Sequence, residues 1–329
     1  MDIIDQYKTD EAFVKFSAPM VRYSKLPFRL MVRDFGVDVA YTPMIMASSF
    51  TQSEAARDVE FTTDSSDIPV IAQFGSNDKN EVGISSRLIS DHVNGIDLNC
   101  GCPQRWAIKE GIGCQLLREE EKLICLLKEI KRNSPSTSQG KLFSVSAKIR
   151  LLDDNFISKN KKGPIHNTLD LIKSIADSGV DFVTIHCRFP GEKDTATPHF
   201  DIFKHILSAN IHHVKGGPLP IILNGNIKSL KQCRALHEEM KFHGVMAANG
   251  LLENPAMFLD DSRKPSNEKI IELWLSLGSK HCFGNSVKNI QNQLLWMSSD
   301  MNKTNLTLIK SQNTLSSIQS VTRNILMYN

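Results

Sequence analysis

Gly179-Val180-Asp181-Phe182-Val183-Thr184-Ile185-His186-Cys187-Arg188 decides how this 329-residue chain is read. A glycine able to end a helix in the left-handed conformation precedes an apolar, β-branched run, and side chains that carry chemistry follow it. The same opening recurs at Gly36-Val37-Asp38, Gly95-Ile96-Asp97 and His243-Gly244-Val245. Working outward, short apolar runs predict strands near 14–18, 38–41, 69–74, 95–99, 143–149, 181–186, 219–224 and 244–248. Spacing of 3.6 residues predicts helices at 26–35, 79–91, 115–131, 168–178 and 230–240.

Eight buried strands alternating with helices place the chain in the α/β class and favour a closed (β/α)8 TIM barrel over an open doubly wound sheet. No Gly-x-Gly-x-x-Gly follows the first strand, which also weighs against a dinucleotide-binding sheet. Stretches 131–141 and 153–164 read as surface loops. After Pro265 the pattern changes: Ile270, Leu273, Trp274 and Leu277 fall on one helical face, Val287, Ile290, Leu294, Met297 and Met301 continue it, and Leu315, Ile318, Val321 and Ile325 close the chain. The expected division is a barrel over residues 1–262 and a small C-terminal helical domain over 263–329.

A composition of 41% hydrophobic and 23% charged residues excludes a disordered or collagen-like chain. Seven cysteines, an odd number scattered along the chain, point to a reducing compartment. The first eight residues lack the basic-then-apolar order of a secretory leader, and no run of 18 apolar residues occurs, so the expected location is cytoplasmic or nuclear with no membrane partner. The net charge of +3 is unevenly spread, because residues 263–329 hold eight basic and three acidic side chains. That surplus reads either as a polyanion-facing surface or as lysines solvating a helical face.

In such a barrel chemistry sits at the C-terminal ends of the strands. Here those ends are Pro19-Met20-Val21-Arg22, Thr42-Pro43-Met44, Gln73-Phe74-Gly75, Asn99-Cys100-Gly101-Cys102-Pro103, Lys148-Ile149-Arg150, His186-Cys187-Arg188, Asn224-Gly225-Asn226 and Ala248-Asn249-Gly250. Each polar member alone has an ordinary structural explanation; together they describe a site. The last two ends suit a phosphate held by backbone N–H groups. With Gln73, Lys148 and His186 reaching in, the expected occupant is an aromatic ring with a phosphate tail, and flavin mononucleotide (FMN) fits. Cys100-Gly101-Cys102 lacks the spacing of a metal site, so no metal is expected. Cys102, on a constrained loop near Arg105 and Lys109, suits a general acid or a nucleophile.

Four stretches carry a family resemblance: 18–25 (APMVRYSK), 41–45 (YTPMI), 97–106 (DLNCGCPQRW) and 250–258 (GLLENPAMF). They resemble the tRNA-dihydrouridine synthase family, most of all the eukaryotic branch acting on positions 20a and 20b of the tRNA D-loop. The resemblance implies an FMN enzyme reduced by NADPH or NADH, which transfers hydride to C6 of a flipped-out uridine while Cys102 protonates C5. It implies that Pro19, Met20 and Val21 line the flavin, that Gln73, Lys148 and His186 meet its ring, and that Asn224, Gly225, Asn226, Ala248 and Asn249 surround its phosphate. Asn99, Arg105, Arg150 and Arg188 are expected to face the uridine or tRNA, with the basic helical segment gripping tRNA and the protein acting as a monomer.

Three positions depart from the family pattern. Asn226 stands where aspartate is usual, Asn249 where arginine is usual, and Cys187 where glycine is usual. Two other readings therefore stand beside the first: an FMN-barrel oxidoreductase for a small pyrimidine, and a tRNA-binding relative with a weakened flavin site.

Overall fold

The computed structural model describes residues 3–7, 11–135, 142–157, 161–214, 216–281, 287–298 and 301–328. Eight strands, β1 Val14–Ser17, β2 Val39–Met46, β3 Val70–Gly75, β4 Gly95–Cys100, β5 Ser144–Arg150, β6 Phe182–His186, β7 Ile221–Asn224 and β8 Gly244–Ala247, close in chain order into one barrel. All neighbours are parallel, and β8 returns to β1 through Val14↔Gly244 and Ser17↔Ala247. The strands are buried on both faces, because helices cover the outside and side chains fill the inside. Their Val, Ile and Leu content follows from that double burial.

The expected strands all form, within a few residues at the ends. The largest difference is β2, which runs on through Thr42-Pro43-Met44-Ile45 to Met46, with a shift in register between Tyr41 and Met44. Proline cannot donate to the ladder, so the strand is interrupted there and resumes. The helix expected at 115–131 divides into a 3-10 turn, Gly113–Arg118, and a helix, Glu120–Arg132. Helices at Ala47–Gln52, Glu54–Glu60, Arg105–Lys109, Phe200–Ser208, Asn249–Glu253 and Lys303–Lys310 were not marked by periodicity; most span under two turns, too short to display it. Residues 136–141 and 158–160 of the two expected loops, and Cys282, lie outside the described residues.

The C-terminal helices Asn267–Lys280, Val287–Met297, Lys303–Lys310 and Leu315–Tyr328 share one hydrophobic cluster with the barrel, through Ile270, Trp274, Leu294, Ile309 and Ile318 among others. Trp274 Nε1 donates to the Ile290 carbonyl at 3.0 Å and Gln291 Nε2 to that of Ile309 at 2.7 Å, tying these helices to one another. Two further bonds reach the barrel. Gln293 Nε2 donates to the Leu252 carbonyl after β8 at 3.1 Å, and Trp296 Nε1 to the Tyr23 hydroxyl after β1 at 3.1 Å. The helical segment is thereby fixed beside the C-terminal ends of β8 and β1. Among the described residues no helix is long and apolar enough to cross a membrane.

Candidate active site

Alternation along β4 and β5 turns Asp97, Asn99, Ser146, Lys148 and Arg150 to the same side of the sheet. Register then sets Asp97 between Gln73 and Ser146, Asn99 beside Lys148, and Arg150 beside His186, which is paired on its other side with Asn224. Asp97 is fully buried; its Oδ1 accepts from Ser146 Oγ at 2.6 Å and its Oδ2 from Gln73 Nε2 at 2.8 Å. Burial pushes its pKa up to about 6, against the opposing pull of those two bonds and of Lys148. Asn99 Nδ2 donates to Gln73 Oε1 at 2.7 Å, and Asn99 Oδ1 accepts from the backbone N–H groups of Gly101 at 3.2 Å and Cys102 at 2.9 Å.

Above this layer Lys148 Nζ donates to Asn224 Oδ1 at 2.9 Å, and Asn224 Nδ2 donates to the Met246 carbonyl at 2.8 Å. Burial, aided by Arg150, brings Lys148 down to about 8, so it remains mostly cationic at neutral pH. His186 is held far below its ordinary value, by burial first and then by Lys148, Arg150 and Arg188. It is a neutral imidazole. Because a guanidinium only donates, His186 Nε2 accepts from Arg188 Nη1 at 2.9 Å. Arg188 is fixed from behind by the Ala196 and Asp194 carbonyls, and Arg150 by those of Gly101 at 2.9 Å and Phe189 at 3.0 Å.

Cys102 is half-buried, and desolvation raises its thiol above the ordinary value although the Gln104 N–H, Arg150 and Lys148 oppose that. It therefore carries its proton at neutral pH. Its carbonyl accepts from Cys114 N–H at 3.0 Å, and Gly113 lies so close that an added Cβ would stand 2.6 Å from the Cys102 oxygen. Gly113 also has φ +62°, so only glycine suits this position.

A small recess of about 80 Å³ opens at the ends of β7 and β8, among His186, Arg188, Asn224, Gly225, Ala248 and Asn249. Asn226 has φ 51° and Gly225 φ 146°. Asparagine and aspartate both tolerate the left-handed region, so the first departure leaves the backbone path intact. Cys187 is buried in the hydrophobic core, and its N–H donates to the Asn224 carbonyl at 2.9 Å. The third departure is absorbed by packing. Asn249 is exposed and supplies no cation, but Lys228 borders the recess, its Nζ held by Glu253 at 2.9 Å.

The Dihydrouridine synthase (Dus) family profile matches residues 16–320. The chain belongs to this family. It is 40% identical over 287 residues to a human protein named tRNA-dihydrouridine(20a/20b) synthase [NAD(P)+]-like, covering 86% of this chain and 83% of that one. It is 36% identical to the Schizosaccharomyces pombe tRNA-dihydrouridine(20a/20b) synthase [NAD(P)+], covering 77% and 70% respectively. In fold alone it is similar to a Pseudomonas geniculata amine oxidase structure, with a TM-score of 0.54 at 9% identity over 84% of this chain and 49% of that one. Family membership removes the ground for a small-pyrimidine oxidoreductase.

Of the residues expected at a family site, the structure brings Gln73, Asn99, Cys102, Lys148, Arg150, His186, Arg188 and Asn224 to one end of the barrel, with Gly225, Asn226, Ala248 and Asn249 around the recess. Met20 is buried there, its N–H donating to Ser24 Oγ at 2.9 Å, and Pro19 is part-buried beside it. Val21 is 55% exposed, and Arg105 is exposed at the start of the helix Arg105–Lys109, its side chain making no hydrogen bond or ion pair among the described residues. Sequence reading missed Asp97, Ser146, Cys114 and Lys228. Asp97 and Ser146 were open to discovery, since period-two alternation from Asn99 and Lys148 marks both as inward polar residues. Cys114 and Lys228 follow the strand ends through loops whose path the sequence does not specify.

The donor set fits FMN. A cation and neutral imidazole at the mouth suit an electron-rich ring edge, and the recess beside β7 and β8 suits a phosphate.

Proposed function

We propose that the barrel mouth binds FMN and a uridine extruded from the tRNA D-loop, and reduces the uracil 5,6 double bond at positions 20a and 20b with NADPH as reductant. As a member of the dihydrouridine synthase family, the chain is an oxidoreductase that makes dihydrouridine in tRNA. The observation that carries the finer reading is a protonated, half-buried thiol on the same mouth as Lys148, His186 and the recess.

Bound FMN would supply hydride chemistry for uracil C6, with NADPH as its reductant. The chain's own residues do the rest. Gly225, Asn226, Ala248 and Asn249 surround the phosphate, Pro19, Met20 and Val21 border the ring, and Lys148 offers it a positive charge while Asn224 orients the lysine. Gln73 and His186 border the ring from their strands. Asn99, Arg150 and Arg188 face the uridine, and Arg105 meets the tRNA outside the mouth. Cys102 Sγ, kept protonated by desolvation, gives its proton to C5 as the ring gains charge. Extrusion of the base has to precede this, since neither ring carbon is reachable in a stacked base.

Residues 263–329 form the proposed tRNA-gripping part on the 1–262 barrel. Lys269, Lys280, Lys303 and Lys310 are exposed there and form no ion pair among the described residues. We further propose that the protein acts as a monomer in the cytoplasm or nucleus. The test is direct: Cys102→Ala should keep FMN, seen by its visible absorbance bands, and lose dihydrouridine formation by about 10²–10⁴-fold. Full activity in that variant would remove Cys102 from the mechanism.

A further inference from the structure

Four side chains make a single hydrogen-bonded line from the barrel interior to the Cys102 loop. Ser146 Oγ donates to Asp97 Oδ1, Gln73 Nε2 to Asp97 Oδ2, Asn99 Nδ2 to Gln73 Oε1, and the Gly101 and Cys102 amides to Asn99 Oδ1, over distances of 2.6 to 3.2 Å. Asp97 and Gln73 are fully buried, and Asn99 is 9% exposed. Asp97 sits below the residues assigned to ligand contact. We infer that Asp97 is a positioning residue: the acceptor oxygen it offers Gln73 Nε2 fixes the direction of this line and through it holds the loop that presents Cys102.

The direction is imposed from both ends. Backbone amides only donate, so Asn99 must turn its oxygen toward Gly101 and Cys102. Its nitrogen then faces Gln73, which must answer with oxygen. That leaves Gln73 Nε2 pointing inward, in need of an acceptor. An ionised carboxylate only accepts, and Asp97 is there. A primary amide has two ends of nearly equal shape, so sterics alone would let Gln73 turn over. Turning it would set Oε1 against the Asp97 carboxylate and Nε2 against the Asn99 nitrogen, and both bonds would break. An apolar residue at 97 would remove the bias and leave a buried donor unsatisfied, which costs free energy where water cannot enter.

The functional meaning of this inference rests on the proposed role of Cys102, but its test does not. The rate of alkylation of Cys102 by iodoacetamide, read by peptide mass spectrometry on the full chain, reports how firmly the loop is held. The exposed Cys125 serves as internal reference. Measurement at pH 8 keeps Asp97 ionised, since its pKa lies at about 6. Asn99→Asp sets carboxylates on both sides of Gln73, so one of them must face Oε1; Cys102 should then react about tenfold faster, the scale of one buried hydrogen bond removed. Combining Asn99→Asp with Asp97→Asn reverses the whole line. The introduced amide donates to Gln73 Oε1 and still accepts from Ser146, Gln73 Nε2 donates to the introduced carboxylate, and that carboxylate still accepts from Gly101 and Cys102.

The double variant should therefore return to within about twofold of the wild-type rate, a coupling between two side chains not bonded to each other that simple destabilisation would not produce. Asp97→Leu should loosen the loop as Asn99→Asp does. Asp97→Asn alone should leave it held, because its oxygen can serve Gln73 while its nitrogen donates to Ser146. A wild-type rate in Asn99→Asp, or a double variant as reactive as that single one, overturns the inference. Should wild-type protein make no dihydrouridine, the enzymatic reading fails and this result is untouched.

Discussion

At residue 102 burial and charge pull in opposite directions, and burial wins. The thiol lies above its ordinary pKa despite Arg150 and Lys148, which suits an acid that must arrive protonated and suits a nucleophile poorly. Since alkylation needs the thiolate, the reaction of Cys102 with iodoacetamide should keep accelerating as pH rises past 9, and a plateau near pH 7 would contradict a raised pKa. A second prediction concerns Asn249, exposed on the rim of the recess at the position where the family resemblance implies an arginine. A charge-assisted hydrogen bond to phosphate contributes on the order of 1.5–3 kcal/mol, so Asn249→Arg should tighten FMN by one to two decades in a fluorescence-quench titration. An unchanged affinity would mean that Lys228 already supplies that charge. The sequence disclosed these residues as strand ends; it could not disclose that Gln73 is spent largely on holding Asp97 and Asn99, because that depends on the register between two strands.

The strands were legible because most are short runs rich in apolar and β-branched residues, several opened by a glycine or aspartate, that end on polar side chains. Most of the unread helices were short, and five to eight residues give no period to read. One of these, Asn249–Glu253, closes the recess. Gly250 in it packs so tightly that a Cβ would stand 2.2 Å from the Ile227 carbonyl oxygen. Backbone would have to move, so Gly250→Ala should lower the melting temperature and weaken FMN in the same titration by about tenfold or more. If neither quantity changed, this end of the barrel would be shown to yield without cost. Three of the four C-terminal helices were legible from their apolar periodicity, Lys303–Lys310 being the exception, whereas their anchorage on the barrel through Gln293 and Trp296 was not, since a surface glutamine and a buried one look alike in sequence.

For the whole molecule the shared core changes what the helical segment means. Removing it would bare the apolar face it covers, so its proposed part in RNA binding is better tested by charge than by truncation. Each lysine withdrawn from an RNA phosphate should reduce the slope of log affinity against log salt by about 0.7–0.9. Lys303→Ala with Lys310→Ala should flatten that slope by roughly 1.5 while leaving the melting temperature unchanged. An unaltered slope would place the RNA elsewhere. The central claim is enzymatic, and one measurement reaches it: tRNA free of dihydrouridine is incubated with the purified protein, FMN and NADPH, and the modified positions are mapped. The account predicts dihydrouridine in the D-loop, at 20a and 20b, from the wild type and none above background from Cys102→Ala; a flavin-loaded wild-type protein that leaves every D-loop uridine unreduced would contradict it.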